Sequence, residues 1–97
     1  MNTSTPSEEG ELDEVESVEA LLEELLENLS DDPSCLQIDK HVTAHSAIFD
    51  VHVSNDAEVG KVLGRGGAHA KTLRTLFTAI YGRLGRRFHL NIVDPRR

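Results

Sequence analysis

Residues 60–76 read GKVLGRGGAHAKTLRTL, and the run Gly64-Arg65-Gly66-Gly67 within them governs how the rest of the chain is interpreted. Three glycines and an arginine in four residues separate a short apolar-periodic stretch from a longer one, so a loop with almost no side-chain bulk joins two predicted helices. A dinucleotide-binding loop needs Gly-x-Gly-x-x-Gly directly after a strand, and an ATP-type loop needs Gly-x-x-x-x-Gly-Lys-Ser/Thr. Neither is present. What fits is Gly-x-x-Gly, with Gly64 and Gly67 as the fixed positions. Bare backbone there admits a chain of phosphates to van der Waals contact, and the leading N–H groups and dipole of the next helix favour anions. Arg65 adds a charge, Gly66 leaves the backbone open beside it, and Lys61 precedes the loop by one turn. Lys71 and Arg74, spaced i, i+3, continue the positive surface along one helix face.

Outward from the loop, "SNDAEVGKVL" starts the first of the two helices, with Ser54 or Asn55 as cap and Glu58 three residues after Asn55 in a capping-box arrangement. Val59, Val62 and Leu63 are its inward positions. Beyond the loop, Leu73, Leu76, Phe77, Ile80 and Leu84 form a long helical stripe, with Gly82 and Gly85 as candidate terminators. "RRFHLNIVD" alternates Phe88, Leu90 and Ile92 against His89 and Asn91, which predicts a strand stopped by Pro95. Upstream, "CLQIDKHV" and "SAIFDVHV" read as two strands joined by a short polar turn at Thr43 to His45, hence an antiparallel hairpin. Ala47, Phe49, Val51 and Val53 share one face of the second strand. Earlier still, Val15, Val18, Leu22, Leu25 and Leu29, widened by Leu21 and Leu26, predict an amphipathic helix ending at the Asp31-Asp32-Pro33 breaker. The first 14 residues are polar and acidic without periodicity and read as a disordered tail. The expectation is an α+β domain over residues 15–94, with order helix, strand, strand, helix, loop, helix, strand. Residues 95–97 then form a short basic C-terminal tail. A helical crossover into the last strand makes it parallel to its neighbour, so the sheet is three-stranded and mixed, with the helices packed on one face.

The formal charge of −7 over 97 residues hides two regions of opposite sign. Residues 1–39 hold 13 of the 17 acidic residues and no Lys or Arg, whereas residues 40–97 hold all 10 basic residues against 4 acids, a surplus of six. The half that contains the loop is therefore the half suited to a polyanion. The single cysteine, Cys35, cannot form an internal disulfide and sits among Asp31, Asp32 and Asp39, which disfavour a thiolate; it reads as a small buried residue. No apolar stretch reaches membrane-span length and the amino terminus lacks a signal-peptide pattern, so the cytoplasm is the expected compartment.

Helix, Gly-x-x-Gly, helix, flanked by strands, is similar to the KH domain, and the extra helix and strand on the amino-terminal side resemble its type II form (α-β-β-α-α-β). More narrowly, "VGKVLGRGGAHAKTLRTL" resembles the same segment of the bacterial KhpA family of small stand-alone KH proteins. The match is specific mainly over residues 59–76. That resemblance implies single-stranded RNA binding, a role in RNA chaperoning and post-transcriptional regulation, and a link to bacterial cell elongation and division. It also implies pairing with a second KH protein, KhpB (also called Jag). Carried over position by position, it assigns RNA contact to Lys61, Gly64, Arg65, Gly66, Gly67, Lys71 and Arg74. His69, adjacent to the loop, is a further candidate RNA contact.

A single clamp of this kind binds weakly, and two clamps on one RNA gain roughly 10²–10⁴ in avidity, so a homodimer or a complex with another KH protein is expected. No carboxylate pair or activated nucleophile is positioned for catalysis in the basic half, so no enzymatic activity is expected. The five histidines, His41, His45, His52, His69 and His89, form no metal-type spacing, and neither a metal nor a cofactor is expected. The competing expectation is a protein-interaction module that dimerises through its helices, with a purely structural glycine loop.

Overall fold

The computed structural model describes residues 8–93. In chain order these form α1 (Glu8–Leu29), a 3₁₀ turn (Pro33–Cys35), β1 (Leu36–Val42), β2 (Ser46–Val53), α2 (Asp56–Leu63), a second 3₁₀ turn (Arg65–Gly67), α3 (Ala68–Arg83) and β3 (Arg87–Val93). The expected element order and mixed sheet are both present. Helix α1 starts at Glu8 rather than at Val15, so its first two turns run through the stretch read as tail. Glutamate and leucine are good helix formers, and acidic residues near a helix amino terminus complement its dipole. Every acidic residue of the first 14 lies at or after Glu8. Residues 1–7 and 94–97, with the expected stop at Pro95, lie outside the described residues.

The strand order is β1-β2-β3, with β2 antiparallel to β1 and parallel to β3. Ala47 stands opposite both Val42 and Phe88, Phe49 opposite Lys40 and Leu90, and Val51 opposite Ile38 and Ile92. These rows face the helices. Alternation along β2 accounts for this, since Ala47, Phe49, Val51 and Val53 are all buried. Ile48, which broke the apolar alternation, points to the other face and is half-buried beside His41 and His89.

Between the sheet and the helices, the aromatic rings converge on Phe88. Tyr81 stacks on it with centroids 5.4 Å apart and an interplanar angle of 8°, and Phe49 and Phe77 each approach to 5.8 Å. From α1, Val15, Leu22 and Leu26 enter the same core. Leu21 and Leu76, both expected to be inward, are instead 44% and 47% exposed. Each lies on the flank of its stripe, where a helix packed on a sheet leaves the edge of its apolar face open. Lys40 is the one charged residue on the inner rows of β1; its ammonium meets Glu19 at 3.3 Å and Glu23 at 3.1 Å, tying α1 to the sheet.

Helix α3 ends as a glycine terminator requires. Gly85 takes φ 76°, Arg86 N–H donates to Tyr81 O at 2.9 Å and Gly85 N–H to Gly82 O at 3.1 Å, the paired bonds of a Schellman motif. Gly82, the other candidate, stays inside the helix.

Candidate nucleic-acid interface

Helix α2 is capped by Asn55, whose side-chain oxygen accepts the Ala57 N–H at 2.9 Å. The reciprocal half of the expected capping box is absent. Glu58 turns away from Asn55 and accepts the Ser30 hydroxyl at 2.7 Å, the Asp31 N–H at 2.7 Å and the Asp32 N–H at 3.2 Å. With four orphan donors at the end of α1 and in the turn after it, a carboxylate has more to satisfy there than at its own cap. Lys61 also donates to Glu58, at 2.9 Å. The Ser30 hydroxyl first, and Lys61 next, hold the Glu58 carboxyl down at about 2.

At the end of α2, Gly64 N–H donates to Gly60 O at 2.8 Å, and Gly67 N–H then donates to Gly64 O at 2.9 Å, closing the loop into one tight turn. Gly64, Gly66 and Gly67 all take positive φ, at 79°, 62° and 78°. Their surroundings differ. A Cβ on Gly64 would stand 2.5 Å from the Cγ of His69 and 2.7 Å from the His69 backbone nitrogen. At Gly66 and Gly67 no protein atom lies within 4 Å of that position. Gly64 is therefore demanded by the protein's own packing, while the bare backbone of Gly66 and Gly67 faces open space. Helix α3 begins directly after Gly67 without a side-chain cap, which leaves its leading N–H groups turned toward that space.

His69 does more than fill space. Its Nδ1 lies 2.9 Å from the Lys61 carbonyl, which only accepts, so Nδ1 donates and the ring staples the end of α2 to the start of α3. Arg65 and Lys71 are exposed, within one turn of the loop and on either side of the glycines. Arg74, one turn further along α3, is also exposed, but its Nε donates to Leu90 O on β3 at 3.0 Å, which fixes the guanidinium.

Lys61 is placed differently from the other predicted contacts. Its ammonium lies 2.6 Å from the Asp31 carboxylate and 2.9 Å from Glu58, and these bonds, Asp31 first, raise it above the usual lysine range. The structure thus groups Arg65, the glycines, Lys71 and Arg74 along the loop and α3, and draws Lys61 back to the turn after α1. Asp31, Glu58 and Ser30 escaped sequence reading. Only Glu58 carried a local signal, and that signal pointed to a cap.

All four aromatic residues are in the core, so none is free to stack on a base. Among the described residues no group of histidine, cysteine and carboxylate side chains is arranged to hold a metal ion, and no helix is long and apolar enough to cross a membrane.

Comparison with known proteins gives a consistent result. The family model described as KhpA/KhpB, KH domain, matches residues 19–92. The RNA-binding protein KhpA of Mycobacterium tuberculosis is 39% identical over 62 residues, covering 64% of this chain and 76% of the relative. That of Streptomyces coelicolor is 38% identical over 77 residues, covering 79% and 95%. That of Halalkalibacterium halodurans is 32% identical over 77 residues, covering 79% and 100%. No solved structure matches the chain.

Proposed function

Since this chain belongs to the KhpA/KhpB family of KH domains, we propose that it binds single-stranded RNA by seating backbone phosphates on the open glycines of the α2–α3 loop. The observation that carries this reading is the contrast within the loop. His69 explains Gly64, but nothing in the protein occupies the space over Gly66 and Gly67, and Arg65, Lys71 and the uncapped start of α3 surround that space with positive potential. With every aromatic side chain buried, affinity rests on phosphate contacts and sequence preference is loose.

RNA chaperoning and post-transcriptional regulation in the cytoplasm, with the expected link to cell elongation and division, are the cellular side of this proposal. A clamp built on one helix terminus and a few charges gives affinities near the millimolar to micromolar range, so pairing with a second copy or another KH protein belongs to it as well. Leu21 and Leu76 support a helix-mediated contact. They extend an apolar groove of about 160 Å³ lined by Leu25, Leu29, Leu73, Thr72 and His69 between α1 and α3.

The test is titration of a labelled single-stranded RNA pool with wild type and with Arg65→Asp/Gly66→Asp. Gly66 has room for the new side chain, so the double variant keeps the fold. Wild type should bind with a log K against log salt slope of about −0.7 per phosphate contacted, and the double variant should not bind. Equal binding by both makes the glycine loop structural and leaves the helix-mediated interaction module as the function.

A further inference from the structure

The pairing of Lys61 with Asp31 bears on how RNA reaches the loop. Of the two carboxylates on Lys61, Glu58 is anchored: its side chain is 6% exposed, its Oε1 accepts from Ser30 and from two backbone N–H groups, and its Oε2 takes Lys61. The Asp31 side chain is 80% exposed, and Lys61 is the partner of its carboxylate. Two carboxylates on one ammonium leave a net negative charge on the helix turn that precedes the glycine loop. A phosphate chain arriving at Gly66 and Gly67 meets that charge.

We propose that Asp31 sets the affinity of the clamp: its carboxylate holds the place of a backbone phosphate on Lys61, and RNA binds by exchanging that carboxylate for a phosphate oxygen. This rests on the RNA-binding reading of the loop. An ammonium has three donors, of which one goes to Glu58 and one to Asp31. When Asp31 leaves, Glu58 keeps Lys61 in place, so the exchange swaps one charged acceptor for another without reordering the lysine. The turn that carries Asp31 is held through its backbone, by the Asp31 and Asp32 N–H bonds to Glu58, and does not depend on the Asp31 carboxylate. Ion pairs this exposed exchange readily. Asp31 is therefore a positioning and affinity-setting residue 30 positions upstream of Lys61, in a segment separate from the basic half of the chain.

The experiment is anisotropy titration of a short labelled mixed-sequence single-stranded RNA with wild type, Asp31→Asn and Asp31→Asn/Lys61→Met over a salt series, with thermal melts to match folding. Asp31→Asn should tighten low-salt binding about two- to fivefold, the scale of an exposed ion pair. It should also steepen the salt slope by about 0.7, one further phosphate contact. Adding Lys61→Met should remove both gains. Unchanged or weaker binding by Asp31→Asn overturns the proposal, as does a gain that survives Lys61→Met, which would make it a general charge effect. Failure of wild type itself to bind RNA overturns the reading beneath it, and the wild-type titration alone identifies that case.

Discussion

The imidazole of His69 stands where a side chain on Gly64 would have to go, with its Cγ 2.5 Å from the position of a Cβ, while its Nδ1 holds the Lys61 carbonyl at 2.9 Å. One ring therefore sets both the entry angle of the glycine loop and the identity of its first residue.

Gly64→Ala should be more damaging than Gly67→Ala. Both place alanine at positive φ, which costs about 1–2 kcal/mol, but only Gly64 adds an overlap with His69. In a His69→Ala background the penalty at Gly64 should shrink without vanishing, because the His69 backbone nitrogen remains 2.7 Å from the added methyl. Urea denaturation of the four proteins measures the coupling directly.

Glu58 should make stability depend on acid. Its carboxyl is held at about 2, below the ordinary carboxylate value, by the Ser30 hydroxyl and then by Lys61. A folded-state value below the unfolded one gives a contribution present in full above the unfolded pKa, about 4.3. That contribution is lost as pH falls toward 2. Glu58→Gln should therefore lie below wild type in urea midpoint at neutral pH, with the gap narrowing below about pH 4. A gap constant down to pH 2 would contradict this.

Tyr81 carries its hydroxyl into the core without a hydrogen-bond partner, and burial, with Glu19 nearby, pushes the phenol up to about 12. Tyr81→Phe keeps the stacking on Phe88 and removes an unsatisfied polar atom, so it should stabilise the protein by about 1 kcal/mol. A melting temperature raised by several degrees is the expected readout, and a lowered one would show that the hydroxyl finds a partner in solution.

Leu21→Glu and Leu76→Glu address exposed flanks rather than the core, so each should change folding stability by no more than about 0.5 kcal/mol. If α1 and α3 form the pairing surface, sedimentation should shift from dimer to monomer in either variant, with avidity for RNA falling alongside. Monomeric wild type at all concentrations would remove this surface from consideration.

The sheet was legible because period-two alternation survives in β2 and β3 and because Gly85 marks the end of α3 with the one conformation glycine favours there. The loop was legible from its glycines alone. The start of α1 was not, since the acidic run before Val15 has no apolar periodicity and its helicity comes from propensity and from continuation of the helix behind it. Leu76 fits the helical period as well as Leu73 does; which of them is covered depends on how α1 lies across α3. The partner of Lys61 sits 30 residues away, and no local spacing reveals a bond that the fold makes by bringing the end of α1 against α2. Glu58 illustrates the same limit, because its spacing from Asn55 satisfies a cap while its geometry satisfies a different helix end.

The bond from Arg74 to the Leu90 carbonyl has a meaning apart from RNA. Strand β3 is the last strand of an open sheet, and its unpaired backbone is a template onto which another chain can add, the first step toward fibrillar aggregates. A guanidinium bound to that backbone interrupts the template with a fixed positive charge. The residue that extends the phosphate-binding surface thereby helps keep the protein in solution at high concentration, before any nucleic acid covers it.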